Sequence, residues 1–278
     1  MILLTGGTGF VGRHLISELK NKYKVRCLVR DLNLLRGFEL AKGDLGDIAS
    51  LEKALEGIDK IIHLAAAVKG DFKKVNWEGT ANLVRAAASL GAKKIVHMST
   101  LGAMPNPKYP YAFSEWMAEV EVMGSGLDYV ILRPSIIFGR GDPFIGGLIK
   151  IIKKSPLVPI TSPARFQPIW VEDVVRCIII SLEEINGQII PLGGPEILSF
   201  EEIVDIIMNS LHLRKPKIRL SPRVTKALVN KLRAVGINTP FVPGHFLRSD
   251  NVAGLGVVEG YFGFEPKRLS DFLKVDLN

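Results

Sequence analysis

The chain has 278 residues, 47% of them apolar, and 36 Lys and Arg against 28 Asp and Glu give it a formal net charge of +8. Those proportions supply enough apolar material for a large core and exclude a disordered or fibrous protein. No uninterrupted apolar run reaches the roughly 20 residues of a spanning helix, and two cysteines cannot build a disulfide framework.

In chain order, residues 2–4 read as a short buried strand, and Leu15, Ile16 and Leu19 recur at helical spacing. Gly6, Gly9 and Gly12 therefore fall on a strand-to-helix turn. Such a turn binds pyrophosphate. The first glycine permits the tight bend, the second holds no side chain against the phosphates, and the third lets the helix pack close with its N-terminal N–H groups facing the anion. Thr5, Gly6, Gly9, Phe10, Val11 and Gly12 are the expected dinucleotide contacts here. Because the strand starts at the first methionine, no signal peptide is expected, and a cytoplasmic location is the expectation.

Strand-like runs follow at 25–29, 60–64, 95–98 and 129–132, with helical periodicity at 48–55, 75–90 and 116–123. This alternation predicts an α/β fold: a Rossmann-type doubly wound parallel sheet with right-handed crossovers. Pro134, Pro143, Pro156, Pro159, Pro163 and Pro168 then break the chain into short pieces of the kind that shape a pocket. Ser199-Phe200-Glu201-Glu202 is a capping box opening a helix to about Leu211, and 222–235 reads as a further amphipathic helix. The expected organisation is a dinucleotide-binding domain over 1–160, to which 168–193 returns, and a smaller, mostly helical C-terminal substrate subdomain over 161–278.

Arg30 ends the second strand pattern about twenty residues past the glycines, where an acidic residue would bind the ribose hydroxyls of NAD. An arginine suits a 2′-phosphate, so NADP(H) is the preferred cofactor; Asp31 keeps NAD(H) open, and Arg36 adds charge to the same loop. Asp44, with Leu45 beside it, either accepts a hydrogen bond from the adenine amino group or caps the helix starting near Asp47. Cys27 and Cys177 have no metal-ligand spacing and read as buried thiols, and no metal site is expected.

From 206 to 249 there is no Asp or Glu, while Arg214, Lys215, Lys217, Arg219, Arg223, Lys226, Lys231, Arg233 and Arg248 accumulate. This is either a solvated basic face or, with the apolar stripe Val224, Ala227, Leu228, Leu232 and Val235, a surface over 211–236 for an acidic partner protein or an anionic membrane. No aromatic interleaving or reader motif accompanies the charge, so nucleic acid is not an expected partner.

Five segments occur in the order and spacing of a known superfamily: Thr5-Gly6-Gly7-Thr8-Gly9-Phe10-Val11-Gly12, His63-Leu64-Ala65-Ala66, Asn76-Trp77-Glu78-Gly79-Thr80, His97-Met98-Ser99-Thr100 and Leu132-Arg133-Pro134-Ser135-Ile136-Ile137-Phe138-Gly139. Together they resemble the extended short-chain dehydrogenases/reductases. Arg165-Phe166-Gln167-Pro168-Ile169-Trp170-Val171-Glu172-Asp173-Val174 and Leu192-Gly193-Gly194-Pro195-Glu196 are similar to its atypical, NAD-dependent epimerase/dehydratase-like branch, which includes the NADPH-binding accessory subunit of respiratory complex I and prokaryotic relatives.

The resemblance implies further cofactor contacts at Ala65 and Ala66, at Tyr111, and at Pro134, Ser135 and Ile136 near the nicotinamide carboxamide. It also implies a reaction centre built from a tyrosine acid or base, a lysine four residues later that lowers its pKa and holds the nicotinamide ribose, and a Ser or Thr that holds the substrate oxygen. Tyr111 is in register, but Glu115 stands at the lysine position, and Leu101 occupies a usual hydroxyl position, leaving Ser99 or Thr100. A carboxylate disfavours a phenolate, so Tyr111 is expected to be a poor base at neutral pH. His63 and His97 in apolar strand ends, and Asn76 in a helix, read as structural groups.

Two functions follow. One is an oxidoreductase or sugar-nucleotide epimerase/dehydratase with an altered centre, acting on a small carbonyl or nucleotide-sugar substrate. The other is a non-catalytic NADP(H)-binding structural or redox-sensing protein, peripheral to the membrane where it joins a respiratory complex.

Overall fold

Leu3, Leu4, Ile61, Ile62, Ile95 and Val96 are at most 1% exposed, so successive residues are buried on opposite faces, the mark of a sheet covered on both sides. The computed structural model describes residues 1–20, 22–221, 224 and 249–276. In it, strands β1 (Ile2–Thr5), β2 (Val25–Val29), β3 (Glu39–Lys42), β4 (Lys60–His63), β5 (Lys94–Met98) and β6 (Asp128–Pro134) pair in parallel in the order β6-β5-β4-β1-β2-β3, with Gln188–Leu192 beyond β6. The register aligns Thr5 with His63 and His63 with His97, which brings the C-terminal ends of β1, β4 and β5 level. The Rossmann-type sheet expected from the alternating pattern is present.

Helices α1 (Phe10–Leu19), α2 (Ile48–Leu55), α3 (Gly79–Ser89) and α4 (Pro110–Met123) cross between these strands. Leu3, Ile61, Ile95 and Ile131 pack with Leu51, Leu55, Leu83 and Val122 from α2, α3 and α4. On the opposite face α1 lies beside the helix Val171–Glu183. Two local details shape the site. Asp47 caps α2 by accepting from Ser50 N (3.3 Å), while Asp44 Oδ1 accepts from Gly46 N (2.9 Å) in a preceding Asx turn, so the cap is Asp47 itself. The helix expected at 75–90 begins as a π turn, Lys73–Glu78, before α3; wide turns of this kind rotate a side chain out of the α register.

The chain divides into two compact units, Met1–Pro134 with Val171–Pro191, and Ser135–Trp170 with Leu192–Asn278. The second has its own core, in which Phe138, Phe166, Phe200, Ile203, Phe272 and Leu273 pack among the helices Ile145–Lys154, Phe200–Ser210 and Leu269–Asp276. The capping box is formed at both bonds, Glu202 N to Ser199 Oγ (3.1 Å) and Ser199 N to Glu202 Oε2 (2.6 Å).

Among the described residues, three cations of the basic run have internal partners. Lys215 Nζ donates to the carbonyls of Ile152 (2.6 Å), Lys153 (3.0 Å) and Ser155 (2.8 Å), closing the C-terminus of Ile145–Lys154. Lys217 pairs with Glu201 and Asp205, and Arg219 with Glu201. Arg223, Lys226, Lys231, Arg233, Arg248, the stripe beyond Val224 and all of the helix expected at 222–235 but Val224 lie outside the described residues. Among the described residues no helix is long and apolar enough to cross a membrane. Cys27 and Cys177 are both buried and free; burial pushes the Cys27 thiol up to about 11.

Candidate functional site

The glycine turn is shaped by contacts that a Cβ would break at two positions and not at the third. Gly6 has φ +73°, and a Cβ there would sit 2.6 Å from the Leu64 carbonyl carbon; at Gly12 it would sit 2.2 Å from Gly6 O and 2.7 Å from Gly7 Cα. Gly9 differs. Its φ of −73° and ψ of 178° suit any residue, and a Cβ would meet only Gly6 O, at 3.1 Å. Gly6 and Gly12 are needed by the fold, whereas the bare backbone at Gly9 leaves room over the start of α1, where a diphosphate fits. Thr5 is buried, and Phe10 and Val11 are half-buried behind the turn.

A continuous hydrogen-bond chain runs from this turn across the sheet. The Thr80 hydroxyl donates to Asn76 O, so Thr80 Oγ1 accepts from His63 Nε2 at 2.9 Å. That assigns the proton to Nε2 and leaves Nδ1 to accept from the Thr5 hydroxyl at 2.7 Å, while Thr5 Oγ1 accepts from Ala65 N at 3.3 Å. Burial and the neighbouring His97 hold His63 well below the usual histidine range, and burial holds His97, stacked on it at 5.1 Å, at about 4. Both rings are neutral at pH 7. The reading as a satisfied structural group fits His63, both of whose ring nitrogens are bonded, whereas both ring nitrogens of His97 are buried without a hydrogen-bond partner.

Asn76 is the hub of the adjoining loop. Its Oδ1 accepts from Ala67 N (2.7 Å), and its Nδ2 donates to Ala67 O (3.1 Å) and to Glu115 Oε1 (2.6 Å). Glu115 is 2% exposed; burial, reinforced by the charge of Glu119, pushes its carboxyl up to about 8 despite the bond from Asn76. Tyr111 is half-buried, with Phe72 packed edge-on at 5.5 Å. Burial, and secondarily Glu115, hold its phenol well above the ordinary value. Ser99 donates its hydroxyl to Glu119 Oε1, and the Glu119 carboxylate is gripped by Arg133, Nε donating to Oε1 (2.8 Å) and Nη2 to Oε2. Thr100 Oγ1 lies 3.4 Å from Gly102 N within its own turn.

At the other end of the sheet Arg30, Asp31, Asn33 and Lys42 line a cavity of about 270 Å³. Asp31 is turned into its own loop, where Oδ1 accepts from Asn33 N (2.9 Å) and Nδ2 (3.0 Å). Arg30 and Lys42 are exposed. Leu45 is buried against Gly79, while Ala66 is exposed. In the first unit Pro134 O accepts from Leu101 N at 3.2 Å. In the second, Ser135 N donates to Leu192 O, its hydroxyl bonds Asn251, and Ile136 packs on that unit's core.

A second cavity, of about 320 Å³, lies on the first unit between the π turn and the start of α4, walled by Phe72, Trp77, Phe113, Pro107 and Pro110, with Lys73 at its side. Sequence reasoning missed this aromatic wall, Lys42, and the Asn76–Glu115 bond. Lys42 had a signal: it ends the strand beside β2, one register step from Arg30. The other two join residues 30 or more positions apart and had none.

The sequence profile of the NAD-dependent epimerase/dehydratase family matches residues 2–193. The chain belongs to that family. Its cofactor is accordingly a nicotinamide dinucleotide. Ceramide reductase of Caulobacter vibrioides is 32% identical over 194 residues, 64% of this chain and 60% of that protein. NADH dehydrogenase (ubiquinone) 1 alpha subcomplex subunit 9 of Dictyostelium discoideum is 27% identical over 226 residues, 73% of this chain and 62% of that one. This epimerase/dehydratase-family chain thus spans about three-fifths of the length of both curated relatives. The crystal structure of Thermus thermophilus UDP-glucose 4-epimerase in complex with NAD shares its fold, with a TM-score of 0.78 and 23% identity over 99% of this chain and 96% of that one.

Proposed function

We propose that the protein binds NADP(H) and reduces a carbonyl compound with an apolar body, using Tyr111 as a proton donor in a centre that has no general base. The observation that carries this is the pairing of a half-buried phenol, held protonated, with Glu115 in place of a lysine. Bound as NADPH, the dinucleotide supplies the hydride. Tyr111 O–H gives its proton to the oxygen that becomes the alcohol, a step that a high phenol pKa permits because an alkoxide is more basic still, and the phenolate left behind takes a proton back from solvent before the next turnover. Oxidation or epimerisation needs the phenolate first, and burial together with Glu115 opposes it. The aromatic cavity whose wall Phe72 also touches Tyr111 suits an apolar group, in keeping with a reductase of a lipid among the relatives.

The proposed cofactor contacts are Thr5, Gly6, Gly9, Phe10, Val11 and Gly12 for the diphosphate, Arg30 with Lys42 for the 2′-phosphate, Asp44 and Leu45 near the adenine, and Ala65, Ala66, Tyr111, Pro134, Ser135 and Ile136 towards the nicotinamide. Asp31 accepts two bonds within its own loop, which supports the choice of NADP(H) over NAD(H), since that carboxylate is engaged away from a ribose. A second reading is favoured by Ser99, whose hydroxyl is given to Glu119 rather than kept for a substrate oxygen. Under it the protein holds NADP(H) without turnover, as a structural or redox-sensing subunit bound to an acidic partner; a relative in a respiratory complex supports that alternative.

Purified protein incubated with NADPH and a panel of aliphatic and aromatic ketones and aldehydes separates the two. The expected result is carbonyl reduction that falls about 100-fold in Tyr111→Phe, with alcohol oxidation by NADP⁺ at pH 7 far slower. Tight NADPH binding with no turnover of any carbonyl would select the second reading. Rapid alcohol oxidation at neutral pH through Tyr111 would contradict both.

A further inference from the structure

The residue at the lysine position is an acceptor, and the group it faces is one that only an acceptor can satisfy. Asn76 Nδ2 carries two hydrogens; one goes to Ala67 O (3.1 Å) and the other to Glu115 Oε1 (2.6 Å), with Ser114 Oγ a longer and weaker acceptor at 3.4 Å. With Oδ1 taking the Ala67 N–H (2.7 Å), the Asn76 amide clamps both polar groups of one backbone residue. We propose that Glu115 is a positioning residue: through Asn76 it fixes Ala67 and with it the 65–67 loop on which the dinucleotide rests.

Three observations carry the inference. Glu115 and Asn76 are both 2% exposed, so a donor left unmatched there has no water to replace its partner. Asn76 lies in the π turn Lys73–Glu78, and its own carbonyl is tied by Thr80 to the His63–Thr5 chain that holds Ala65 N. The loop is therefore held at both ends, Ala65 through Thr5 and Ala67 through Asn76. Lastly, a lysine ammonium has only donors and cannot accept from Asn76, so a lysine at position 115 would leave the second Nδ2 hydrogen without the partner that Glu115 supplies. The loss of the lysine is here the gain of an anchor.

The inference rests on the reading of 65–67 as a dinucleotide contact, and the test keeps the two apart. Glu115→Leu removes the acceptor while filling the space, and Glu115→Gln keeps an acceptor at the same place. Amide hydrogen exchange is followed on the full-length protein without added cofactor, and NADPH affinity is measured on the same samples. The expected result is exchange at 65–67 about tenfold faster in Glu115→Leu and within about twofold of wild type in Glu115→Gln, the step that loss of one buried hydrogen bond gives. NADPH affinity should fall about tenfold in Glu115→Leu and be restored in Glu115→Gln, and global unfolding should show no matching loss. Wild-type exchange at 65–67 in Glu115→Leu would overturn the inference. The expected exchange pattern in a protein that binds no dinucleotide would sustain the clamp and overturn the cofactor reading alone.

Discussion

Gly9→Val will abolish dinucleotide binding while leaving the fold nearly as stable as before, and Gly12→Ala will damage both. At Gly9 the backbone is extended and the nearest atom to an added Cβ is Gly6 O at 3.1 Å, a contact that a shift of a few tenths of an ångström relieves. The expected stability loss is about 1 kcal/mol or less, because no packed side chain is displaced. A branched side chain over the start of α1 nevertheless fills the space above its N–H groups, and affinity should drop at least about 100-fold. At Gly12 the added Cβ would lie 2.2 Å from a backbone oxygen and 2.7 Å from a backbone carbon, so the turn itself must move. A loss of about 2–4 kcal/mol is expected, with binding lost as well. Chemical denaturation and calorimetric titration of both variants check the contrast. Equal stability losses would mean that Gly9 is demanded by folding rather than by a ligand.

The second large effect is one of pH. Glu115 has a carboxyl raised to about 8 in the fold, while in the unfolded chain it ionises near the ordinary 4.5. With the folded value raised, its stabilising contribution is complete below about 4.5 and is lost as pH climbs through 8, because the unfolded chain gains the ionised form first. Over that window the wild type gives up on the order of 4 kcal/mol that Glu115→Gln, which cannot ionise, retains. Thermal unfolding of the two proteins should therefore nearly coincide at pH 4.5 and diverge at pH 8, the glutamine variant melting several degrees higher. A constant difference across pH would place the ionisation elsewhere.

Much of the fold was open to sequence reasoning because its signals are local. The glycine spacing, the Ser199 capping box and the helix Ile48–Leu55 all act within a few residues, and each is formed, although the cap of that helix is Asp47 and not Asp44. The departure at position 115 was equally legible, as was its electrostatic sense for Tyr111. What that departure does instead was not legible. The Asn76–Glu115 bond joins positions 39 apart, and it depends on a π turn that no 3.6-residue periodicity reveals. Lys42 comes beside Arg30 only once β3 is in register with β2. Asp31 could bind a ribose or its own loop on sequence grounds, and the short turn after β2 decides for the loop.

The central claim is that this centre is built around a dinucleotide with a 2′-phosphate. Its most direct test is calorimetric titration of wild type and Arg30→Ala with NADPH and NADH at fixed ionic strength. Wild type should bind NADPH at least about tenfold more tightly than NADH, and Arg30→Ala should lose most of that difference by weakening NADPH alone, as removal of a charge-assisted bond to phosphate requires. Equal wild-type affinities, or a preference that survives in Arg30→Ala, would contradict it.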